Sequence, residues 1–556
     1  MNDNKRTSAF KEKRDYDILN MLNSISNFEI FTPFEITKSM IELLPEEVFK
    51  HPEYKFLDPC VKSGIFLREI IYKLDENLPR IKYKDKESNI EYDLSNKKER
   101  TTHILKNMIY GIAISELTSY VSRRTIYGVM EANKDKIEEY LQSKILANRD
   151  EELLEMNEYY NHNIFNDREE YIEEGNIFYP ANETTIETED THYPFIVKTN
   201  HKIINRIKER KMKFDVIIGN PPYQQNVGNI AGNKSKSKAI YHHFISNAID
   251  LKPKYISMIV PSRWMTKSAE GISDKWVDDF LKSNKIEKLH DFINSEDCFK
   301  NVSIEGGVNY FLWNTNYENK CNYYIHGESN NISHIYDYLD PINIGVVLRD
   351  KYSRDILKKI SHIEKEYFNN MNNNFSGLVS PKDYFTTKHK LTSSWNDFSI
   401  EPNEFYNIKY YLNKKVYEKG EGFIKKEDIH KNMQSININK VYIPAANGGQ
   451  KNVLGKPFKG EKNSVCSQTY LIIGYDNIKH NFNESQCENI ISYIKTKFFR
   501  YLVSLKKKTQ NGARGVYQLV PIQDFNKSWT DEELYKKYNL SDDEINYIEN
   551  KISKMD

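Results

Sequence analysis

The residues best suited to chemistry stand at the end of an apolar run, residues 214–225, with the sequence FDVIIGNPPYQQ. The run closes on Asn220, Pro221, Pro222 and Tyr223, and the two prolines fix φ and supply no backbone N–H donors. The Asn220 side-chain oxygen and the Pro221 carbonyl can accept both hydrogens of a planar amino group, while Tyr223 lies flat against the ring that carries it. Two acceptors draw such an amine towards tetrahedral geometry and stabilise the positive charge that develops on it, so no general base is needed. The motif therefore predicts attack by an aromatic amine, and the alternative is an ordinary strand-to-loop exit.

An open α/β sheet is expected to position residues 220–223, which we call the Asn220 corner. Apolar segments predict strands and amphipathic segments predict helices between them: strands at 55–57, 108–114, 214–218 and 255–260, helices at 63–74 and 239–251. This alternation predicts a doubly wound, Rossmann-like, mostly parallel sheet, in which ligands bind beyond the carboxyl ends of the strands. Asn220 follows such a strand, so we expect it to line an open groove. The charged, irregular interval 131–212 predicts an insertion.

Composition and charge exclude several classes of protein. The net charge of +1 over 556 residues provides no general attraction for a polyanion, so any nucleic-acid surface must be local. Five scattered cysteines without a CxxC pair favour a reducing cytoplasm over a zinc site or a disulfide scaffold, and no metal is expected. No run approaches the about 18 apolar residues that span a bilayer, and no signal-peptide pattern opens the chain, which predicts a soluble cytoplasmic protein without a membrane partner.

Two motifs carry a resemblance to a known superfamily. FDVIIGNPPY resembles motif IV of the amino-methyltransferases that use S-adenosylmethionine, most closely the DNA adenine methyltransferases, in which Asn leads the tetrapeptide. KFLDPCVKSGIFL, residues 55–67, resembles motif I. The resemblance implies that Asp58 faces the positively polarised end of the donor's methionine moiety and that Pro59, Ser63 and Gly64 line the turn. Lys62 departs from the pattern, because the family usually has its first glycine there.

Two further segments resemble the donor-binding motifs of the same superfamily. In FTPFEITKSMIELL, Thr32 reads as a helix N-cap, Pro33 as the first helical residue and Glu35 as the capping-box partner. The same Thr-Pro pair resembles motif X, which implies contact with the donor's carboxylate. In the motif II region Ala113 stands where the family places an acid, and Glu116 is the nearest substitute for binding the ribose hydroxyls.

The motif order X, I, II, IV resembles the gamma group, in which a target-recognition domain follows the catalytic domain. We therefore expect a methyltransferase domain at 1–325, a mixed α+β recognition and DNA-binding domain at 326–525, and a helical tail at 526–556. Residues 464–525 also faintly resemble the recognition domains of adenine methylases related to type IIG restriction–modification enzymes. Apolar residues at every fourth position from Ile490 to Leu502 predict one helix, and Ser541 with Glu544 predicts a capping box in the tail.

Two basic segments are candidates for phosphate contacts with double-stranded DNA. The first segment follows Tyr223 and contains the candidates Lys234, Lys236 and Lys238. The second segment lies nearer the C-terminus, after Lys495, Lys497 and Arg500, and contains the candidates Lys506, Lys507, Lys508 and Arg514. The alternative for each segment is a solvated charged face.

The sequence as a whole predicts a site-specific DNA adenine methyltransferase that uses S-adenosylmethionine and acts on a flipped base. About thirty residues precede Phe31 and no PD-(D/E)xK spacing is present, so we expect a stand-alone methylase or the modification enzyme of a restriction–modification system with a separate endonuclease. Two alternatives stay open: a catalytically degenerate DNA-binding specificity subunit, favoured by Lys62 and Ala113, and an amino-methyltransferase that acts on RNA or protein.

Overall fold

A computed structural model describes most of the chain in two compact units, which divide between Leu339 and Asp340. The described residues are 31–113, 122, 125–126, 171–174, 177–180, 204–205, 207–227, 236–300, 302–327, 331–365, 367–412, 420–446, 453–507 and 512–555. The boundary lies beyond the expected position near 325, because two further strands extend the first unit's sheet through Asp337.

The first unit is built on a large central sheet. The described strands of this unit, inside and outside that sheet, are β1 Phe56–Val61, β2 Lys82–Lys84, β3 Glu91–Asp93, β4 Ile109–Ala113, β5 Tyr171–Glu174, β6 Ile177–Pro180, β7 Val216–Gly219, β8 Gln224–Val227, β9 Lys236–Ala239, β10 Tyr255–Pro261, β11 Ile286–Phe292, β12 Val308–Asn314, β13 Cys321–His326 and β14 Ile332–Asp337. Ten of these described strands form one sheet in the order β14-β13-β11-β12-β10-β7-β1-β4-β6-β5. The strands expected at 55–57, 108–114, 214–218 and 255–260 are confirmed as β1, β4, β7 and β10, with ends shifted by a few residues.

The centre of this sheet is parallel. β1 pairs in parallel with β4 on one side and with β7 on the other, and β7 pairs in parallel with β10. β12 then runs antiparallel to both β10 and β11. The fold is therefore α/β with a mostly parallel centre, as expected. The chain passes from β1 to β4 on one side and from β7 to β10 on the other, which places the topological switch point between β1 and β7.

The described helices of the first unit are α1 Phe34–Glu42, α2 Ile65–Asn77, α3 Lys97–His103, α4 Tyr241–Asp250 and α5 Asp274–Lys282. In α2 the expected stripe of Phe66, Ile70 and Leu74 is buried, and it joins the core formed with α1 and the central strands.

The interval 131–212 contributes to the sheet, which the sequence did not predict. β6 pairs in parallel with β4, and β5 pairs antiparallel with β6 at the edge. Each strand has only four residues, too few for a clear alternation of polar and apolar positions.

The second unit is mixed α+β. Its helices are α6 Lys351–Glu364, α7 Glu484–Lys495, α8 Lys497–Lys506, α9 Asp531–Lys537 and α10 Asp542–Lys551. Its strands are β15 Ile408–Tyr411, β16 Glu421–Ile424, β17 Lys440–Pro444, β18 Phe458–Gly460, β19 Ser464–Cys466 and β20 Tyr470–Ile473. Among the described residues they form two three-stranded sheets, β16-β15-β19 and β18-β17-β20.

One expectation for this unit needs correction. The single helix expected from Ile490 to Leu502 is two helices, because Thr496 has ψ 148° and caps α8 by accepting the Phe499 N–H. The helices of the tail, α9 and α10, pack into the same core as α7 and α8. The capping box of Ser541 with Glu544 is confirmed at the start of α10.

Three findings bear on the classes considered above. The five cysteines are all described and buried, and no disulfide joins any two of them. Within the described ranges, no helix combines the length and apolar character needed to cross a membrane. The same residues contain no group of three or more His, Cys, Asp or Glu side chains that could hold a metal ion.

Candidate functional site

The corner at Asn220 lies at the carboxyl edge of the sheet, beside the end of β1. β7 ends at Gly219, and its register with β1 pairs Val216 with Phe56 and Ile217 with Leu57. Residues that follow these two parallel strands therefore emerge at the same edge. The prediction that Asn220 follows a buried strand at the carboxyl end of the sheet is confirmed.

Asp58 and the residue before Asn220 are in direct contact. A Cβ built on Gly219 would lie only 2.5 Å from Asp58 Oδ1, so the carboxyl packs against the bare backbone of this glycine. Asp58 is 2% exposed, and its Oδ1 accepts the Cys60 N–H at 3.0 Å. Burial raises the pKa of Asp58 to about 7, against the opposing effects of the Cys60 N–H and the Lys62 charge. The carboxyl is thus poised between its neutral and charged forms near neutral pH.

Thr32 reaches the same corner from the start of α1. The Asn220 Nδ2 donates a hydrogen bond to Thr32 Oγ1 at 3.0 Å, and both side chains are buried. The expectation that Thr32 caps the helix and Glu35 completes a capping box is wrong. Pro33, with ψ 150°, is the N-cap, and no side chain caps α1. The Thr32 hydroxyl is bonded to Asn220 instead.

The turn between β1 and α2 depends on one glycine. Gly64 has φ +78°, a conformation that L side chains rarely adopt, and a Cβ there would lie 2.9 Å from the Ser122 carbonyl oxygen. Pro59 is buried in β1 and Ser63 is half-buried in the turn. Lys62 is not among the described residues with positive φ, so its backbone does not need the glycine that the family pattern has there.

The corner is closed to solvent, which differs from the open groove expected. Asn220 is 2% exposed and Tyr223 is 7% exposed, and the Tyr223 ring belongs to the core formed by α1, α2 and the central strands. Burial raises the pKa of Tyr223 well above its usual range, and the nearby Cys298 thiol adds to this. The Tyr223 carbonyl accepts the Ile240 N–H at 3.1 Å, which ties the corner to the start of α4. In this structure the side chains of Asn220 and Tyr223 are therefore shielded from solvent.

The motif II region is described only in part. Ala113 is the last residue of β4, is buried, and pairs with Val61 at the end of β1. Ala113 therefore lies at the carboxyl edge of the sheet, beside the strand that carries Asp58. Glu116, the substitute acid, lies outside the described residues.

A two-stranded ribbon follows the corner. β8 and β9 pair antiparallel, with Gln225 opposite Lys238, and the Lys238 side chain is exposed. The backbone of Lys236 lies in β9. Lys234 lies outside the described residues.

The second basic segment is largely engaged within its own unit. Arg500 is 1% exposed and donates to the backbone carbonyls of Ser553 at 2.6 Å and Lys495 at 3.1 Å, so its guanidinium is engaged within the unit. Lys497 pairs with Glu549 at 2.5 Å.

The remaining cations of this segment are partly exposed. Lys506 donates to Gln518 Oε1 at 2.5 Å, and burial lowers the pKa of Lys507. Lys508 lies outside the described residues. Arg514 donates to the Ser376 carbonyl at 2.9 Å and to the Tyr475 hydroxyl at 2.8 Å. DNA binding by Lys506, Lys507 and Arg514 stays a prediction.

Two contacts that position the site escaped the sequence reasoning. They are the Thr32–Asn220 hydrogen bond and the support of the Gly64 turn by Ser122. Neither has a local signal, because the partners come from distant parts of the chain. The packing of Gly219 on Asp58 had one signal, the glycine immediately before the Asn-Pro-Pro-Tyr motif.

Solved structures similar to this chain include two from restriction–modification systems. One is a modification subunit of a putative type I restriction enzyme from Vibrio vulnificus YJ016, with 13% identity and a TM-score of 0.34; the match covers 59% of this chain and 54% of that one. Another is a nuclease-deletion mutant of the type ISP restriction–modification enzyme LlaGI in complex with a DNA substrate mimic, with 14% identity and a TM-score of 0.43; it covers 91% of this chain and 48% of that one. The chain thus spans about half the length of each of these proteins.

Sequence comparison shows the family of the chain. A family model described as Eco57I restriction-modification methylase matches residues 107–299, which include β4, β7 and the Asn220 corner. An uncharacterized adenine-specific methylase of Mycoplasma pneumoniae (strain ATCC 29342 / M129 / Subtype 1) is 34% identical over 339 residues, which are 56% of this chain and 72% of that protein. At this identity and coverage, the chain belongs to the family of adenine-specific methylases.

Proposed function

We propose that this protein transfers a methyl group from S-adenosylmethionine to the 6-amino group of an adenine flipped out of double-stranded DNA. The observation that carries the proposal is the convergence of three distant segments at one sheet edge. Asn220 bonds Thr32, and Gly219 packs on Asp58, so the residues of motifs IV, X and I meet within direct contact. A strand exit of purely structural origin would not require a buried threonine and a buried carboxyl at the same place.

The chemistry proposed for the corner follows from its acceptors. The Asn220 oxygen and the Pro221 carbonyl would accept the two amino hydrogens of adenine and stabilise the charge that develops on nitrogen as it attacks. Pro221 and Pro222 hold this backbone rigid and add no donor that would repel the amino group. The proton can leave after the new bond has formed, so these residues need no partner base.

The donor side offers residues that fit S-adenosylmethionine, which supplies an activated methyl group when bound. Asp58 is a buried carboxyl whose pKa is raised to about 7 by burial, and a cationic ligand beside it would favour the charged carboxylate. Gly64 brings the backbone through a tight turn into the start of α2, where free N–H groups are presented. Thr32 and Pro33, at the start of α1, would hold the donor's carboxylate, with Pro59 and Ser63 lining the turn and Glu116 as the candidate for the ribose.

The closed corner has a consequence for substrate entry. A flipped base costs a few kcal/mol to extract from the duplex. Because Tyr223 is buried, its ring can stack on that base only when the corner opens. We propose that opening accompanies DNA binding, and stacking on the exposed ring would then offset part of the cost of flipping.

The partner proposed for the chain is double-stranded DNA, with the second unit as target-recognition domain. Lys234, Lys236 and Lys238 would contact the phosphate backbone next to the flipped base, and Lys506, Lys507, Lys508 and Arg514 would do so in the second unit. The family's description as restriction-modification methylases supports action as a modification enzyme, with a separate endonuclease as its partner.

The experiment that tests the substrate is a transfer assay with labelled S-adenosylmethionine and double-stranded DNA, RNA or protein in separate reactions. We expect label in DNA alone, recovered as N6-methyladenine after digestion to nucleosides. Label in RNA or protein instead would assign the same corner to another polymer. Tight DNA binding without donor binding, measured by calorimetry, would identify a specificity subunit and refute the enzyme.

A further inference from the structure

We propose that Thr32 is a positioning residue for Asn220, whose side-chain amide it holds in place at the end of β7 through a buried hydrogen bond. This role rests on the function proposed above. It goes further by assigning to the Thr-Pro segment a part in the methyl-accepting half of the reaction. The hydrogen bond that carries it joins Asn220 Nδ2 to Thr32 Oγ1 at 3.0 Å and links residues 188 positions apart.

The position of the amide matters because the target amine is proposed to give its two hydrogens to the Asn220 oxygen and the Pro221 carbonyl. An Asn220 side chain that rotated away from Pro221 would leave the amine with one acceptor. In this structure the Asn220 Nδ2 group donates to the Thr32 hydroxyl. This bond restricts rotation of the side chain and so keeps the amide beside Pro221.

The structure also shows why the Thr32 hydroxyl is available. A residue before proline is restricted to extended backbone, so Pro33 limits the conformations of Thr32. The start of α1 is anchored one residue later, where the Pro33 carbonyl accepts the Thr37 N–H at 3.0 Å and the Thr37 hydroxyl at 3.1 Å. Because the helix uses no side-chain cap, the Thr32 hydroxyl is not consumed there.

Burial strengthens the hold of this contact on the Asn220 side chain. Thr32 is 5% exposed and Asn220 is 2% exposed, so water does not compete freely for either group. A neutral hydrogen bond of ordinary strength corresponds to a preference of between about 2-fold and about 13-fold. In a buried setting the unbonded alternative is penalised further, so a loss near the upper end is expected when the hydroxyl is removed.

The test compares three variants at saturating S-adenosylmethionine and DNA. Thr32→Val replaces the hydroxyl by a methyl group of similar size, Thr32→Ser keeps the hydroxyl, and Thr37→Val is a matched control that removes a buried hydroxyl from the same helix. The saturated transfer rate should fall about tenfold in Thr32→Val, recover to within about twofold of wild type in Thr32→Ser, and stay at the wild-type value in Thr37→Val. If Thr32→Val does not fold, as judged by thermal unfolding, Thr32→Ala replaces it in the same comparison.

Calorimetry with S-adenosylmethionine separates positioning from donor binding. If Thr32 contacts only the donor, Thr32→Val raises the Kd and leaves the saturated rate unchanged, and the positioning role is refuted. Equal losses in Thr32→Ser and Thr32→Val would also refute it, because the hydroxyl would then be irrelevant. A wild-type protein that methylates no DNA would overturn the proposed function itself. A wild-type protein that is active, together with an equally active Thr32→Val, would instead refute only the positioning role.

Discussion

Asp58 should make donor binding depend on pH, and replacing it with asparagine should remove that dependence. The carboxyl is buried, and burial raises its pKa from 3.8 to about 7 despite the Cys60 N–H and the Lys62 charge. A cationic donor beside it favours the carboxylate, so binding below pH 7 must first remove a proton. If only the carboxylate binds, the Kd at pH 6 is about ten times that at pH 8.

The same shift makes a prediction about stability, with the sign set by linkage. The folded protein holds the Asp58 proton more tightly than the unfolded chain, so the stabilisation is complete below pH 4 and is lost as pH rises through about 7. One unit of pKa corresponds to about 1.4 kcal/mol, so the free energy of unfolding should fall by about 3 kcal/mol between pH 5 and pH 8 from this group alone.

Calorimetry and chemical denaturation, run on wild type and Asp58→Asn across pH 5 to 8, measure both effects. The difference between the two proteins isolates Asp58, because the donor's own titration and all other groups are common to both. If the pH profiles of wild type and Asp58→Asn run parallel, both for donor affinity and for the free energy of unfolding, the pKa of Asp58 is not raised and the reasoning is refuted.

Other substitutions test the turn at Gly64, the contact between Gly219 and Asp58, and the packing of the Tyr223 ring. Gly64→Ala forces a side chain into φ +78° and towards the Ser122 carbonyl, so thermal unfolding should show a loss of about 1–2 kcal/mol; an unchanged melting temperature would contradict this. Gly219→Ala should displace the Asp58 carboxyl and raise the donor Kd in calorimetry, and an unaltered Kd would argue against the contact. Tyr223→Phe should keep the stability, whereas Tyr223→Ala should lose about 3–5 kcal/mol because it opens a cavity in the core; similar denaturation midpoints for the two would contradict the packing.

The strands and the position of the corner could be predicted from the sequence because their signals are local. The buried run that ends at Gly219 marks β7, and the Asn-Pro-Pro-Tyr motif fixes where the strand stops. The signal that places Asp58 at the end of a second strand is local as well. That these two strands are neighbours is seen only in the fold, where β1 pairs in parallel with β7.

The partners of side chains could not be predicted in the same way. A threonine before proline at a helix start has the pattern of an N-cap, and only the fold shows that its hydroxyl meets Asn220, 188 residues away. Arg500 stands among lysines in the sequence, yet its position on α8 buries it against backbone carbonyls. The apolar period from Ile490 to Leu502 continues through Thr496, so the break was hidden by the very pattern that predicted the helix.

The most direct test of the central claim is methyl transfer to adenine by wild type and by Asn220→Ala, with S-adenosylmethionine affinity measured on the same two preparations. The account predicts N6-methyladenine from wild type, none from Asn220→Ala, and a similar Kd for the donor in both. Equal rates of adenine methylation by the two proteins would contradict it, because the amide at the end of β7 would then have no part in the reaction.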